Sequence, residues 1–320
     1  MLKHTINQVM IIFAIFILVT GCGENASTTN NNTQNNSSET GTRQFEHLMG
    51  ETTIPTDPQR IVTLQYTGEV LALDVKPVGI WSRHLENRYY TDVLADVEDV
   101  GLDASLEKIL ELKPDLIIGD NQHEDIYNEL EKIAPTILIG WEDFTMEEHL
   151  YIVADALGKT AEAELFLNQL ESLAAEKSED LQNYISPDET LLILRIRPDR
   201  FEAYGDRNIG YVFYNSLALT PPEQIQQEIE NASDGFFNSQ SISLEVLPEY
   251  KADHMIVMVE DINDPENGLF DLKDTQIWSQ LPAVQNDQVY YIERDPWLFL
   301  DPISIQGQLE DAILLFNDNH

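Results

Sequence analysis

One segment of the chain occurs twice: SLEKILELKPDLII at residues 105–118 returns as SLEVLPEYKADHMI at residues 243–256. The two copies align without a gap and agree at seven of fourteen positions. Each copy predicts a helix that begins after a serine N-cap and leads into a buried strand, because apolar residues recur at helical spacing before an apolar run. A repeat distance of 138 residues is too long for a solenoid and indicates two similarly built halves. We therefore expect two α/β lobes with a cleft between them.

The charge of the chain is strongly negative, with 57 acidic residues against 18 basic ones. Because such a chain repels a phosphate backbone, we expect no nucleic-acid partner. The acidity is typical of a solvated surface suited to saline or alkaline surroundings. A single cysteine among 320 residues excludes an intrachain disulfide and a multi-cysteine metal site.

The N-terminus has the features of an exported protein. Residues 9–19 are an unbroken apolar run, which as a helix would be roughly 16 Å long, about half of a ~30 Å hydrocarbon core. This length predicts a signal peptide, at residues 1–21, and not a membrane span. The residues VTGC that end at Cys22 resemble the lipobox of bacterial lipoproteins, which implies acylation of Cys22; an ordinary secretory signal is the alternative. Residues 22–43, rich in Asn, Ser and Thr, predict a disordered tether.

Predicted strands alternate with predicted helices in both halves, which is typical of parallel-rich sheets flanked by helices. The fold class is therefore α/β, with two Rossmann-like lobes, at residues 44–158 and 186–320, joined by one long α-helix at 159–185. The predicted strands are 61–64, 78–80, 116–118, 136–139, 190–194, 201–204, 255–259 and 289–292, after a hairpin at 45–54. The predicted helices are 69–73, one from 106, 125–133, 146–157, 160–184, 210–217, one from 244, and 303–316.

Ligands of parallel sheets bind beyond the carboxyl ends of the strands, so the residues that follow each strand are candidate ligand contacts. Aromatic and basic side chains are frequent there. In the first lobe they are Tyr66, Trp81, Arg83, His84, Arg88 and Trp141; in the second they are Arg195, Arg197, Arg200, Tyr204, Arg207, Arg294 and Trp297. Packing at the edge of the core is the alternative for the aromatic residues.

The arginines indicate the charge of the ligand. Seven of the nine follow predicted strands, whereas most lysines lie on helices. A guanidinium offers a planar fork of donors that matches a carboxylate or phosphate. Distant carboxylates are screened, because the Debye length at physiological salt is about 8 Å. The pattern predicts an anionic ligand; ion pairs with Asp199, Glu202 and Asp206 are the alternative.

The chain resembles the substrate-binding lipoproteins of ABC importers whose lobes are joined by a long helix, and most of all the ferric-siderophore binders. The residues that carry the resemblance are 54–62 (IPTDPQRIV), 76–79 (KPVG), the first repeat copy, 133–136 (IAPT), 278–284 (WSQLPAV) and 289–297. It implies a monomer anchored on the extracytoplasmic face of the cell membrane that delivers an iron complex to a permease and its ATPase. Asp301 departs from the glycine expected in many relatives.

The resemblance also implies that one glutamate per lobe docks on the permease. The matching positions are Glu107 and Glu245 in the two repeat copies. An acidic residue in the first turn of a helix is favoured by the helix dipole in any case, by roughly 0.3 to 1 kcal/mol, which is the alternative.

Several ligands are possible, and a surface α/β enzyme is the less favoured alternative class of protein. A siderophore with citrate-type carboxylates, alone or mixed with hydroxamates, fits the arginines; haem and cobalamin are alternatives. We expect no enzyme and no cofactor, because dinucleotide, phosphate-loop and nucleophile-elbow motifs are missing. We expect no protein-bound metal either, because His47, His84, His123, His149 and His254 occur singly, without metal-ligand spacing.

Overall fold

The computed structural model describes residues 41–197, 199–233, 235–260, 269–295 and 297–317. The predicted signal peptide, Cys22 and residues 22–40 of the predicted tether lie outside these ranges. The first strand, β1 (Thr42–His47), pairs antiparallel with β2 (Gly50–Pro55) in the predicted hairpin. None of the helices within the described ranges has the length and hydrophobicity that a membrane span requires.

The first lobe contains a five-stranded parallel sheet with the strand order β5-β4-β3-β6-β7. Its strands are β3 (Ile61–Thr63), β4 (Gly79–Ile80), β5 (Glu98–Asp99), β6 (Leu116–Asp120) and β7 (Thr136–Ile139). Its helices are α1 (Thr67–Ala72), α2 (Leu106–Leu112) and α3 (Tyr127–Leu130). Every residue of β3, β6 and β7 is buried, as expected for a parallel sheet covered on both faces.

Two helices follow the first sheet. A capping box begins α4 (Met146–Leu157): Thr145 N–H donates to Glu148 Oε2 at 2.9 Å, and Glu148 N–H donates to Thr145 Oγ1 at 3.2 Å. Gly158 ends α4 in the left-handed region, with φ 69°. The long helix α5 (Thr160–Leu181) has 22 residues, shorter than the predicted 160–184, and at 1.5 Å per residue it spans roughly 33 Å.

The second lobe contains a mixed sheet with the strand order β10-β9-β8-β11-β12. Its strands are β8 (Leu191–Arg197), β9 (Arg200–Tyr204), β10 (Ser239–Ile242), β11 (His254–Val259) and β12 (Val289–Glu293). The β8, β11 and β12 strands are parallel, whereas β9 and β10 pair antiparallel. Its helices are α6 (Glu223–Asn231), α7 (Leu269–Lys273), α8 (Gln276–Ser279), α9 (Pro282–Gln285) and α10 (Pro302–Asn317).

The two repeat copies lie at equivalent places in the two sheets, which confirms the two similarly built lobes. Strand β6 pairs with the central strand β3, and β11 pairs with the central strand β8. The predicted helix after Ser243 is wrong, because this copy contains only a 3-10 turn at Leu247–Glu249. Pro248 explains the difference: it has no N–H to donate and disfavours helical geometry at the residue before it.

Two other predicted helices need correction, and some elements of the structure were not predicted. The helix predicted at 125–133 is a 3-10 turn, Asn121–Ile126, followed by the single turn of α3. The helix predicted at 210–217 is a π-helix at Tyr211–Ser216. Helix α6 was not predicted, because Ile225 and Ile229 are its only apolar residues, too few to mark a helix by their spacing.

Helix α10 connects the two lobes in addition to α5. It belongs to the second lobe in sequence, but its first half packs against the first. Asn87 Nδ2 donates to Ser304 Oγ at 2.6 Å, and both side chains are buried. Tyr89 Oη donates to Asp311 Oδ2 at 2.5 Å. Polar contacts across the interface therefore hold the relative positions of the lobes, beyond the covalent link through α5.

Candidate functional site

A cleft of about 370 Å³ lies between the two lobes. The residues that line it follow β3, β4, β6 and β7 in the first lobe; in the second they come from β8, β9, β10, adjoining loops and the segment before α10. Seven of the thirteen predicted ligand contacts are among them: Tyr66, Arg83, His84, Trp141, Arg195, Arg197 and Tyr204. The rule that ligands bind beyond strand ends therefore identified residues that line one shared cleft.

One wall of the cleft is aromatic. Tyr66 adopts the left-handed region, with φ 65°, and its hydroxyl donates to the Ile139 carbonyl at 2.9 Å. The Tyr66 ring lies 6.2 Å from that of Trp141, which stacks on His149 at 5.3 Å and 14°. Burial lowers the pKa of His149 to about 4, so the ring is neutral at pH 7. The Trp141 indole thus rests on a neutral, buried support and is held in place for stacking.

His84 is a second buried neutral histidine, and it lines the cleft itself. Its Nδ1 lies 2.5 Å from Thr67 Oγ1, and its Nε2 lies 3.3 Å from Gln65 Oε1. A ring with its proton on Nε2 satisfies both contacts. Burial, and next the charge of Arg83, lower the pKa of His84 to about 4. His84 therefore contributes a polar but uncharged surface to the cleft at neutral pH.

The arginines of the cleft differ in how they are paired. Arg83 forms no ion pair with a carboxylate in the described ranges, and its guanidinium lies 5.9 Å from the centre of the Trp81 ring. Arg197 Nε lies 3.1 Å from Glu202 Oε2, and Arg195 Nη1 lies 3.9 Å from the same oxygen. Arg195 also pairs with Glu260. The ion-pair alternative for the arginines is thus realised at Arg195 and Arg197, and Arg83 keeps the most donors available.

Six predicted ligand contacts do not line the cleft. Arg88 pairs with Asp311, Arg200 with Asp199 and Glu202, and Arg294 with Asp295 and Glu260. Arg207 is 4% exposed, lies over the Trp141 and Phe236 rings, and lines a separate cavity of about 680 Å³ beside α5. Trp81 Nε1 donates to the Leu102 carbonyl at 2.8 Å. Trp297 is in the core, stacked on Phe213 at 5.5 Å.

Other cleft residues were not among the predicted contacts. They are Gln65, Thr67, Gly68, Glu69, Tyr90, Gln122, Glu202, Asn208, Asn238, Ser239, Leu298, Phe299, Leu300 and Asp301. Most lie on helix α1, on antiparallel strands or in a loop distant in sequence. The residues beside Tyr66 do follow a parallel strand, but the prediction kept only aromatic and basic side chains, and the rule does not reach the antiparallel strands. Asp301 carried a signal, because aspartate stands where glycine was expected.

Two buried carboxyl groups meet at one end of the cleft. Glu69 on α1 is 1% exposed, and Asp301 before α10 is 7% exposed. Asp301 Oδ1 accepts from the Ser304 N–H at 2.9 Å, and its Oδ2 accepts from Ser304 Oγ at 2.5 Å. Glu69 Oε1 has no hydrogen-bond partner in the described ranges. Burial raises the pKa of Asp301 to about 6, and burial together with the charge of Asp301 raises the pKa of Glu69 well above its usual value.

This carboxyl pair predicts a specific pH dependence of stability. Because both pKa values are raised on folding, the folded protein binds more protons than the unfolded chain above about pH 4, and the pair's contribution to the free energy of unfolding falls as the pH rises through about 6. Glu69→Gln should remove much of this loss. Its stability relative to the wild type should increase between pH 4.5 and 8, by about 1.4 kcal/mol per unit of raised pKa.

Urea denaturation at several pH values measures this difference. Glu111→Gln is the control, because it removes an exposed carboxylate from α2 and should follow the wild-type curve. A Glu69→Gln curve parallel to that of the wild type across this range would contradict the proposed cost of the buried pair.

The two glutamates implied to dock on a permease are both exposed, one in each lobe. Glu107 is in the first turn of α2, where Ser105 Oγ accepts from the Lys108 N–H at 3.5 Å. Glu245 precedes the 3-10 turn of the second copy. Hydrogen bonds from its own N–H and from the Ser243 hydroxyl lower the pKa of Glu245. The helix-dipole alternative therefore applies to Glu107 but not to Glu245, which does not lie in the first turn of an α-helix.

The described residues contain no group of three or more His, Cys, Asp or Glu side chains arranged to hold a metal ion. The site is instead a cleft with aromatic, arginine and hydroxyl groups on two lobes, which defines a two-lobed binding protein. The chain belongs to the family described as "Periplasmic binding protein", whose model matches residues 61–296.

Individual relatives agree with this assignment. The chain is 30% identical over 315 residues to the iron(3+)-hydroxamate-binding protein YxeB of Bacillus subtilis, covering 97% of this chain and 95% of YxeB. It is 29% identical over 309 residues to the Fe(3+)-citrate-binding protein YfmC of the same organism, covering 91% of each. The crystal structure of Staphylococcus aureus SirA complexed with staphyloferrin B has a TM-score of 0.70 and 28% identity, covering 86% of this chain and 98% of SirA.

Proposed function

We propose that this protein captures a ferric siderophore outside the cytoplasmic membrane and delivers it to the permease of an ABC importer. The observation that carries the proposal is the interlobe cleft, in which Arg83, Arg195 and Arg197 face aromatic side chains. Such a cleft suits a bulky complex with carbonyl and carboxylate oxygens at its surface. The names of YxeB and YfmC support iron complexes as the substrate class.

The ligand proposed is an anionic complex, with citrate-type carboxylates alone or mixed with hydroxamates. Support comes from Arg83, which lines the cleft and forms no ion pair with a described carboxylate. The two relatives differ, since one is named for hydroxamates and the other for citrate. Binding measurements therefore have to distinguish a charged from a neutral complex.

A tryptophan-fluorescence titration of the full chain in detergent tests the proposal. The ligand panel contains ferric citrate, a net-neutral ferric trihydroxamate, a ferric catecholate, haem and cobalamin. We expect saturable quenching by ferric citrate and about tenfold weaker binding after Arg83→Ala, because a hydrogen bond to a charged group contributes about 1.5 to 3 kcal/mol. Arg43→Ala, which removes an arginine paired with Asp155 outside the cleft, should stay within twofold of the wild type.

Two results would count against the proposal in different ways. Preference for the neutral trihydroxamate, with no effect of Arg83→Ala, would keep the importer and reject the anionic ligand. Binding of haem or cobalamin in place of every ferric siderophore would reject the substrate class itself.

The proposal includes a membrane anchor and a docking partner. Acylation of Cys22 would hold the protein at the extracytoplasmic face through the tether, and its support is the lipobox-like VTGC. Glu107 and Glu245, exposed on different lobes, would contact basic residues of the permease. Iron uptake by the Glu107→Ala/Glu245→Ala variant tests the docking partner, and membrane retention of Cys22→Ser tests the anchor.

A further inference from the structure

Glu202 on β9 is the carboxylate around which the arginines of the second lobe gather. In the antiparallel β8–β9 ladder Glu202 lies directly opposite Arg195, so both side chains project from the same face of the sheet. Glu202 Oε2 lies 3.1 Å from Arg197 Nε, and Glu202 Oε1 lies 3.0 Å from Arg200 Nε. One carboxylate is therefore shared by three guanidinium groups.

Glu202 is also part of the cleft surface. It lines the cleft beside Arg195, Arg197 and Tyr204, and it is only 9% exposed. Arg195 is still more buried, at 4%, and its Nε has no hydrogen-bond partner. A buried charge is costly unless it is paired, so Glu202 and these arginines stabilise each other. The same pairing occupies donors that an anionic ligand would need.

From this geometry we infer that Glu202 is a specificity-determining residue, which limits the negative charge of the complex that the cleft accepts. The inference rests on the proposed function and extends it. A carboxylate of the ligand that reaches Arg197 has to share that guanidinium with Glu202, and it meets the like charge of Glu202 at short range. A complex with little net negative charge meets no such competition, and Glu202 leaves its binding unchanged.

The charges around the cleft make Glu202 the informative position to change. Three arginines line the cleft, and three carboxyl groups line it as well: Glu69, Glu202 and Asp301. The first and last of these form the buried pair at one end, where burial raises the pKa of both carboxyl groups. Of the three cleft carboxyl groups, Glu202 is the one that directly contacts cleft arginines. Replacing it by glutamine keeps the shape and one acceptor while removing one negative charge from the wall.

The experiment compares two probes, ferric citrate and a net-neutral ferric trihydroxamate, on the full chain in detergent. We expect Glu202→Gln to bind ferric citrate at least fivefold more tightly than the wild type and the trihydroxamate within twofold. The matched control is Glu249→Gln, which changes the net charge equally at an exposed position of the second lobe, outside the cleft lining. It should change the ratio of the two affinities by less than twofold.

Arg200→Gln gives a test of opposite sign that does not depend on the folding of Glu202→Gln. Arg200 lies outside the cleft lining, but it neutralises Glu202 from the other side. Its loss should leave the negative charge of Glu202 less neutralised. Ferric citrate binding should weaken about threefold, with the trihydroxamate unaffected. Arg43→Gln, with the same change in net charge, should leave both affinities within twofold.

The outcomes separate the inference from the proposed function. If the wild type binds a ferric siderophore and the affinity ratio is the same in Glu202→Gln, Arg200→Gln and the controls, the role of Glu202 is rejected and the importer function stands. If the affinities for both probes fall together in Glu202→Gln, Glu202 is structural only. If the wild type binds neither probe nor any other member of the panel, the proposed function fails, and the inference fails with it.

Discussion

Cells that carry Glu107→Ala together with Glu245→Ala are expected to bind the ferric complex as the wild type does and to import almost none of it. Both glutamates are exposed, lie on different lobes and are absent from the cleft lining. The loss of two charged contacts with a partner costs several kcal/mol when the opposing basic groups stay buried and unpaired in the complex. Uptake of radioactive iron as the siderophore complex, measured beside equilibrium binding, provides both readouts.

The matched control for this experiment is the pair Glu111→Ala and Glu249→Ala. Glu111 is exposed on α2, the helix that contains Glu107. Glu249 is exposed on the 3-10 turn that follows Glu245. The change in net charge is identical in the two double variants. A second control, Cys22→Ser, tests the anchor, because this variant should be released into the medium with its ligand affinity intact. Normal uptake by the Glu107→Ala/Glu245→Ala variant would reject the docking role, and retention of Cys22→Ser at the membrane would reject the lipid anchor.

Gly68→Ala is expected to lower the free energy of unfolding by about 2 kcal/mol, although alanine normally stabilises a helix relative to glycine by roughly 0.5 to 1 kcal/mol. A Cβ at Gly68 would lie 1.9 Å from Asp301 Oδ1 and 2.2 Å from Asp301 Cγ. Asp301 cannot move aside freely, because it accepts two hydrogen bonds from Ser304 at the start of α10. The clash would therefore separate α1 from α10, which is where the two lobes touch.

Urea denaturation measures the effect, and a double variant identifies its cause. Asp301→Gly alone should cost roughly a few tenths of a kcal/mol, because glycine is also accepted at an N-cap. In that background Gly68→Ala should become neutral or stabilising, because the Asp301 Oδ1, Cγ and Cβ atoms that it meets are gone. The ligand titration should follow the same order, since a displaced α10 alters one end of the cleft. Stability of Gly68→Ala equal to or above that of the wild type would show that the interface yields without cost.

Local signals in the sequence predicted much of the fold. The first repeat copy led to the serine cap, α2 and β6; the capping box and Gly158 bounded α4. The errors also have local causes. Pro248 interrupts the helix of the second copy, and α6 has only two apolar residues, Ile225 and Ile229, too few to mark a helix by their spacing. Where burial patterns repeat along the chain, secondary structure is readable; where one residue breaks the pattern, it is not.

The candidate site was predictable only in part. Strand-end residues such as Tyr66, Arg83 and Trp141 reached the cleft because parallel strands bring their carboxyl ends to one edge. Which arginines are paired was not predictable, since Arg88 finds Asp311 and Arg294 finds Glu260 only after the chain folds. Trp297 is an aromatic residue that follows a strand, as a cleft residue would, but it packs on Phe213 in the core.

The sequence by itself determined the two-lobed α/β architecture, the long helix between the lobes and the strand ends that several arginines and aromatic rings follow. Periodicity and the alternation of strands and helices along the chain follow from neighbouring residues. Only the tertiary structure decided that Glu202 holds Arg195, Arg197 and Arg200, and that Glu69 meets Asp301 across the lobe interface. These contacts depend on how α10 and the β8–β9 ladder pack. Distances between groups far apart in the chain are set by that packing, and no local pattern encodes them.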